Sequence, residues 1–225
     1  MTGAAAAQAL REAAAEASIG MLGEESHPPY DRPPLIKALW KDGKGADIWR
    51  PIDKARAQVT LKRRAVRIDR AAHIVGDDAG DTWQYGKLLI ATGGTPRKLP
   101  GGDGFIYYRS FDNYQRLRKA VKAGAHIVVI GGGFIGSEIA AAMAMNGCEV
   151  TMLFPEDGIG ARVYPQSLAD AVTAYFREKG VDVRVGVTVA SGSGAAQGAQ
   201  LKLSDGSMLA AVRFEALHPV RPKRQ

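Results

Sequence analysis

The chain has 225 residues, 46% hydrophobic and 24% charged, which suits one or two globular domains. It contains no apolar run of the ~18 residues a membrane helix needs, and its single cysteine, Cys148, excludes an intrachain disulfide, a CxxC redox pair and a cysteine zinc cluster. The formal charge of +7 permits contact with phosphate or nucleic acid without demonstrating it, and solvated basic faces are the plainer account.

Residues 1–16, MTGAAAAQALREAAAE, read as an alanine-rich helix with no strand before it and only Thr2 as a cap candidate. Arg11, Glu12 and Glu16 interrupt the run, so it is not a signal-peptide core, and a cytoplasmic location is expected. Residues 18–25, SIGMLGEE, read as a strand followed by the acid Glu24. The loop HPPYDRPPLIKALW at 27–40 is stiffened by prolines and carries Arg32 and Lys37. Residues 59–69 and 87–94 read as strands with the turn-rich GDDAGDTW between them; PRKLPGGDG at 96–104 reads as a linker, and 109–122 as a charged helix.

Residues 125–156 then present a complete unit. A β-rich apolar run at 126–130 leads into Gly131, Gly133 and Gly136 in GxGxxG spacing, with Phe134 and Ile135 between the last two. A helix of small residues follows, then a second apolar run at 150–154, and Glu156 stands 20 positions beyond Gly136. A lone GxGxxG is weak, but strand, glycines, helix, strand and acid in this order form a dinucleotide-binding fingerprint. Gly131 allows the tight turn, Gly133 lets the backbone approach a pyrophosphate, and Gly136 lets the helix pack on the strand. The helix N-terminus offers N–H groups and partial positive charge to the phosphates. Glu156 can accept from an adenosine ribose and repels a 2′-phosphate, which favours NADH; Arg162 in GIGARVY could instead receive that phosphate.

The opening fits the end of the same template. Gly3 takes the place of the third glycine, 4–13 that of the small-residue helix, and 18–25 that of the second strand with its acid, Glu24. The expectation is a first fingerprint whose initial strand and two glycines lie upstream, through a misplaced start or a truncated gene. Beyond the second unit, 164–180 is an amphipathic helix closed by Gly180, 181–190 a strand, SGSGAAQGAQ at 191–200 a flexible loop, and 201–210 a hairpin turning at Asp205-Gly206.

Two such units joined through YGKLLIATGGTPRKLP resemble the FAD/NAD(P)-binding pyridine nucleotide-disulfide oxidoreductases, and within them the apoptosis-inducing factor and ferredoxin or rubredoxin reductase type. HPPYDRPPLIKALW, LLIATGGTPR and GGGFIGSE carry the resemblance, and LFPEDG at 153–158 leans toward the apoptosis-inducing factor branch. It implies an α/β chain with two Rossmann-like, three-layered dinucleotide-binding domains and a β-rich excursion. The first domain would span 1–108 and bind FAD, the second 109–211 and bind NAD. Residues 212–225 would form an atypical basic tail, lacking the apolar strand with which the family continues and resembling an out-of-frame end. The resemblance further implies that Gly3, Glu24, Arg32, Lys37, Arg64, Ala65, Thr92, Gly93 and Arg109 serve the FAD site. Gly131, Gly133, Phe134, Ile135, Gly136, Glu156 and Arg162 would serve the NAD(P)H site. Arg64 could equally be any basic strand end, and Arg32 a surface arginine. Lys37 and Glu138 would form the catalytic pair beside the flavin, although Ile36 replaces the Ser or Thr usual before that lysine.

The function so implied is an FAD-dependent oxidoreductase taking hydride from NAD(P)H, with NADH preferred, and passing electrons to a ferredoxin, a rubredoxin or a quinone. The scattered His27, His73, His126 and His218 suggest no metal site, and neither a membrane nor a nucleic acid is an expected partner. The competing reading is a truncated, non-catalytic nucleotide-binding fragment whose basic surface meets nucleic acid.

Overall fold

Two parallel ladders organise the protein, one in each of two compact units of the computed structural model: Met1–Arg32 with Asp47–Gly93, and Pro33–Ala46 with Gly94–Gln225. The structure describes residues 1–41, 47–96, 98–99, 105–195, 198–211, 213–216 and 220–222. The expected domain boundaries at 108 and 211 differ from this division: the proline loop from Pro33 onward belongs with the second unit, and the change of unit falls at Gly93. Most of the expected linker at 96–104 lies outside the described residues.

In the first unit, alanine's high helix propensity produces α1 (Thr2–Ala13), which buries Ala4 and Ala7 on one face. Arg11 Nε–H donates to the Ala55 carbonyl at 2.9 Å and ties the helix to the turn at 53–55. β1 (Gly20–Gly23) runs parallel to β2 (Gln58–Leu61) in the register Gly20–Gln58 to Gly23–Leu61. β3 (Ala65–Asp69), β4 (Ile74–Asp77) and β5 (Thr82–Gln84) form an antiparallel meander. Its turn is held by the buried Asp77 carboxylate, which accepts from the N–H groups of Ala79 and Asp81 and from Trp83 Nε1–H.

The strand expected over 87–94 is corrected: among the described residues 87–93 join no ladder, and only Gly94 enters a strand, β6. Leu88, Leu89 and Ile90 stay 40%, 59% and 40% exposed. An apolar β-rich run becomes a strand only where a neighbour supplies the opposing N–H and C=O groups.

In the second unit, β6 (Gly94–Pro96) precedes α2 (Phe111–Ala120), which opens on a capping box: Ser110 Oγ accepts from Asn113 N–H, and Asn113 Oδ1 accepts from Ser110 N–H. Next come β7 (His126–Ile130), α3 (Phe134–Met145), β8 (Glu149–Leu153), α4 (Gln166–Glu178) and β9 (Asp182–Arg184). α4 ends before Gly180, whose φ of +83° matches its expected C-cap role. β10 (Val189–Ala195), β11 (Gly198–Leu203) and β12 (Met208–Ala211) form an antiparallel sheet. The loop expected at 191–200 is therefore largely strand. Gly192 is there for proximity rather than flexibility, since a Cβ on it would lie 2.6 Å from the Phe105 ring.

β13 (Arg213–Ala216) pairs in parallel with β7, giving the sheet order β13-β7-β8-β9, and β14 (Val220–Pro222) pairs antiparallel with β6. The tail expected to lack a strand thus supplies two; its residues 212, 217–219 and 223–225 lie outside the described set. The open edge of β7 accounts for the pairing, because its backbone groups need partners that an extended segment can give. Phe105, Val128, Ile130, Leu153, Leu201, Leu203 and Leu209 form one core joining the parallel and antiparallel sheets. Among the described residues no helix is long and apolar enough to cross a membrane.

Candidate functional site

The four buried residues Ile127, Val128, Val129 and Ile130 fix β7 in the core and aim its C-terminal end at the glycine turn. Gly131 adopts φ +129°, which a side chain disfavours, and its N–H donates to the Leu153 carbonyl at 2.9 Å. Gly133 is the N-cap of α3 and provides no side-chain cap. A Cβ placed on Gly133 meets nothing within 4 Å, so this backbone is open to close approach. Gly136 is among the buried residues of α3. Phe134 and Ile135, in the first turn, are 52% and 42% exposed. An uncapped first turn of a 12-residue helix beside a bare glycine is a fitting cradle for phosphate oxygens.

Three residues of this site are not singled out by spacing. Gly132 lies flat on the buried Phe154 ring; a Cβ there would come within 2.7 Å of it. Gly160, at φ +75°, donates its N–H to the Gly132 carbonyl at 2.8 Å and leaves room for the Tyr164 ring. Tyr164 in turn packs edge-on against Phe134, with centroids 5.8 Å apart. The run of three glycines and the GIG at 158–160 were the available signals. Glu156 follows β8, its side chain only 20% exposed, and it is ion-paired with the more exposed Arg162.

Lys37 and Glu138 meet, as the resemblance implies, and both belong to the second unit. Lys37 Nζ stands 3.2 Å from Glu138 Oε1. The lysine is not buried, its side chain being 57% exposed, so the Coulombic part of the pair is worth about 0–1 kcal/mol. The segment bearing it is nevertheless well anchored. The Leu35 carbonyl accepts from Trp40 Nε1–H at 2.7 Å and from the Tyr108 hydroxyl, and Asn146 Nδ2–H donates to the Trp40 carbonyl at 3.2 Å. Arg109, just before α2, donates its backbone N–H to Asn113 Oδ1 at 3.1 Å.

In the first unit, Gly3 lies in α1 with Met21 and Ala91 close to it; a Cβ would meet them at 3.4 and 3.9 Å. Glu24 follows β1 and accepts from both Nε and Nη2 of Arg64, at 3.1 and 2.5 Å. That hydrogen bond and charge raise the Arg64 pKa above its ordinary value. Ala65 opens β3 opposite Asp77. Arg32 pairs with Glu25 at 2.6 Å and lies over the Tyr30 ring. Arg50, not anticipated from sequence, pairs with Asp31 at 2.6 Å. The Met1 ammonium, where α1 begins, is pushed below its usual value by burial and then by the charges of Arg32 and Arg50. Thr92 and Gly93 are exposed in the unpaired stretch, Gly93 at φ +67°.

Residues 1–215 match the family model described as pyridine nucleotide-disulphide oxidoreductase. The chain is 34% identical over 221 residues to the ferredoxin–NAD(+) reductase component of the p-cumate 2,3-dioxygenase system of Pseudomonas putida, covering 93% of this chain and 53% of that protein. It is 32% identical to the rubredoxin–NAD(+) reductase of Pseudomonas putida, over 81% of this chain and 50% of the relative. The crystal structure of a ferredoxin reductase from Rhodopseudomonas palustris superposes with a TM-score of 0.88 at 28% identity, covering 98% of this chain and 57% of that one. The chain thus spans about half the length of the curated relatives it matches.

Proposed function

The chain belongs to the pyridine nucleotide-disulphide oxidoreductase family, and from this membership we propose that it binds FAD through its first unit and NAD(P)H through its second. On this reading it takes hydride from NADH in preference to NADPH and passes electrons to a small electron-transfer protein or a quinone. The observation that carries the proposal is the β7–Gly131–Gly133–α3–β8–Glu156 unit, complete in order and geometry. FAD, when bound, supplies the step between two-electron donor and one-electron acceptor. The chain's own residues bind and orient. Gly133 and the first turn of α3 receive the pyrophosphate, and Glu156 accepts from the adenosine ribose. Glu24 does the same in the first unit, where Arg32 and Arg50, each paired with a carboxylate, lie near the start of α1. Lys37, held by Glu138, favours negative charge developing during reduction. The names of the reductase relatives point to ferredoxin- and rubredoxin-like acceptors. A cytoplasmic location is part of the proposal.

The second reading, nucleotide binding without catalysis, is favoured by residues 87–93 of the first unit, which join no ladder among the described residues. One experiment separates the two. The purified chain is mixed anaerobically with FAD and then NADH while the flavin absorption band is followed. Bleaching of a bound flavin supports the oxidoreductase; a chain that binds ADP-ribose but retains no flavin supports the fragment. Subcellular fractionation tests the location.

A further inference from the structure

Consecutive residues 86–93 of the first unit are all exposed, and among the described residues they join no ladder and make no backbone hydrogen bond. They include Leu88, Leu89 and Ile90, in a run with strand composition and no charge after Lys87. β1 is open in the same way: it pairs with β2 on one side, and nothing among the described residues pairs with its other side. We propose that these two open edges form one interface, and that its occupant is a second copy of this chain, docked by strand pairing about a two-fold axis.

The helix above these edges sets their spacing. A Cβ on Gly3 of α1 would lie 3.4 Å from Met21 Cε in β1 and 3.9 Å from Ala91 Cβ. β1 and the 86–93 run thus lie against the same point of one helix without pairing with each other. Neighbouring strands are about 4.8 Å apart, so strands two places apart are separated by about 10 Å, close to the width of a helix. The space between β1 and the run therefore fits one strand. Gly86 and Gly93, the latter at φ +67°, bound the stretch that can pair to 87–92.

Two-fold symmetry fills that space in both copies at once. The 87–92 segment of each copy lies between the β1 and the 87–92 segment of the other. One sheet then runs through the dimer in the order β2, β1, partner segment, own segment, partner β1, partner β2. The axis passes between the two segments, which makes them antiparallel and every contact reciprocal. Lys87 is the one charge within 87–92. In the antiparallel pair the two ammonium groups stand at opposite ends, whereas a parallel pair would set like charges side by side. Charge also sets the direction against β1. Antiparallel pairing brings Lys87 of one copy to the end of the other copy's β1 that leads into Glu24 and Glu25. Both acids already hold an arginine, so this contact orients the strand more than it strengthens it. The affinity comes from backbone hydrogen bonds along two open edges and from burial of Leu88, Leu89 and Ile90.

The test combines sedimentation velocity of the full chain between about 1 and about 100 µM with hydrogen exchange at both ends of that range. The parent is expected to pass from monomer to dimer and no further. The amides of 87–92 and those on the outer side of β1 gain protection as the dimer forms. Ile90→Pro removes a backbone donor, and Leu89→Lys places a charge on a residue 59% exposed in the single chain. Neither position has a ladder partner to lose among the described residues, and circular dichroism checks that both variants keep the fold. Each weakens the dimer at least about 30-fold, while Leu89→Val keeps it within about threefold. Each copy carries a formal charge of +7, so raising the salt from about 0.05 to about 0.5 M strengthens the dimer. A chain that stays monomeric across the range, with 87–92 unprotected, leaves the edges to some other strand and overturns the proposal. A dimer unchanged by both Ile90→Pro and Leu89→Lys lies on another surface and overturns it too. So does a series of ever larger oligomers, which would mean head-to-tail pairing without closure.

Discussion

Lys37 Nζ lies 3.2 Å from Glu138 Oε1, while Glu138 Oε2 is buried and accepts no hydrogen bond among the described residues. One oxygen of this carboxylate is therefore ion-paired and the other enclosed without a donor among the described residues. Leaving a buried acceptor unsatisfied costs about 1–3 kcal/mol, so this is a place where an N–H or O–H from a bound molecule gains most.

Lys37→Ala slows flavin reduction by NADH about tenfold or more while NADH affinity stays within about twofold, because the ammonium acts on charge that appears during the reaction. Stopped-flow reduction of flavin-reconstituted parent and variant measures this. Equal rates would return Lys37 to the role of an ordinary surface lysine.

Gly132→Ala and Gly133→Ala separate folding from binding on adjacent residues. The first drives a methyl into the Phe154 ring and destabilises the protein by about 1–3 kcal/mol. The second meets no protein atom and changes stability by less than about 1 kcal/mol, yet weakens ADP-ribose binding at least about tenfold. Urea unfolding and calorimetry on both variants give the comparison. Equal destabilisation with unchanged binding would remove Gly133 from the phosphate site.

Asp77 links stability to acid. Burial pushes its carboxyl up, but hydrogen bonds from Trp83, Ala79 and Asp81 and the charge of Arg63 together carry it below the ordinary carboxylate value. A group whose folded pKa is depressed contributes stability fully above its unfolded pKa, and the contribution fades as pH falls through the folded value. Below about pH 4 the parent therefore loses stability that Asp77→Asn, already weaker at neutral pH, does not lose through this residue. Unfolding midpoints of both proteins between about pH 7 and about pH 3 check it. Parallel curves would show that Asp77 is not the linked group.

Flavin should be held more weakly than the nicotinamide cofactor. Among the described residues the parallel ladder of the first unit has two strands, to which 87–93 add none, whereas the second unit's parallel sheet has four. Equilibrium dialysis against FAD and NAD+ is expected to give the larger dissociation constant for FAD. A chain that purifies with stoichiometric FAD would contradict this ordering.

Local chemistry made much of the second unit legible in advance. The apolar run before Gly131, the glycine spacing, the small-residue helix, the acid after β8 and the C-capping Gly180 each depend on neighbours close in sequence, so pattern alone identified them. Even the pairing of Lys37 with Glu138 was reached, though only through family resemblance, and without revealing that the lysine is exposed. What pattern could not supply was anything that depends on a distant partner. Residues 87–93 have strand composition but no ladder among the described residues. Residues 191–195 have loop composition but pair with β11, and Gly192 is glycine because the Phe105 ring leaves no room for a Cβ. Residues 213–216 look like a tail but fill the open edge of β7. Strand formation requires a second backbone at the right distance, and Gly132, Gly160 and the Glu156–Arg162 pair are likewise products of contact. The chemistry of the glycine turn and its acid follows from residue order alone; which edges are paired and what that acid holds follow from folding, because hydrogen bonds and ion pairs form between positions that only the fold brings together.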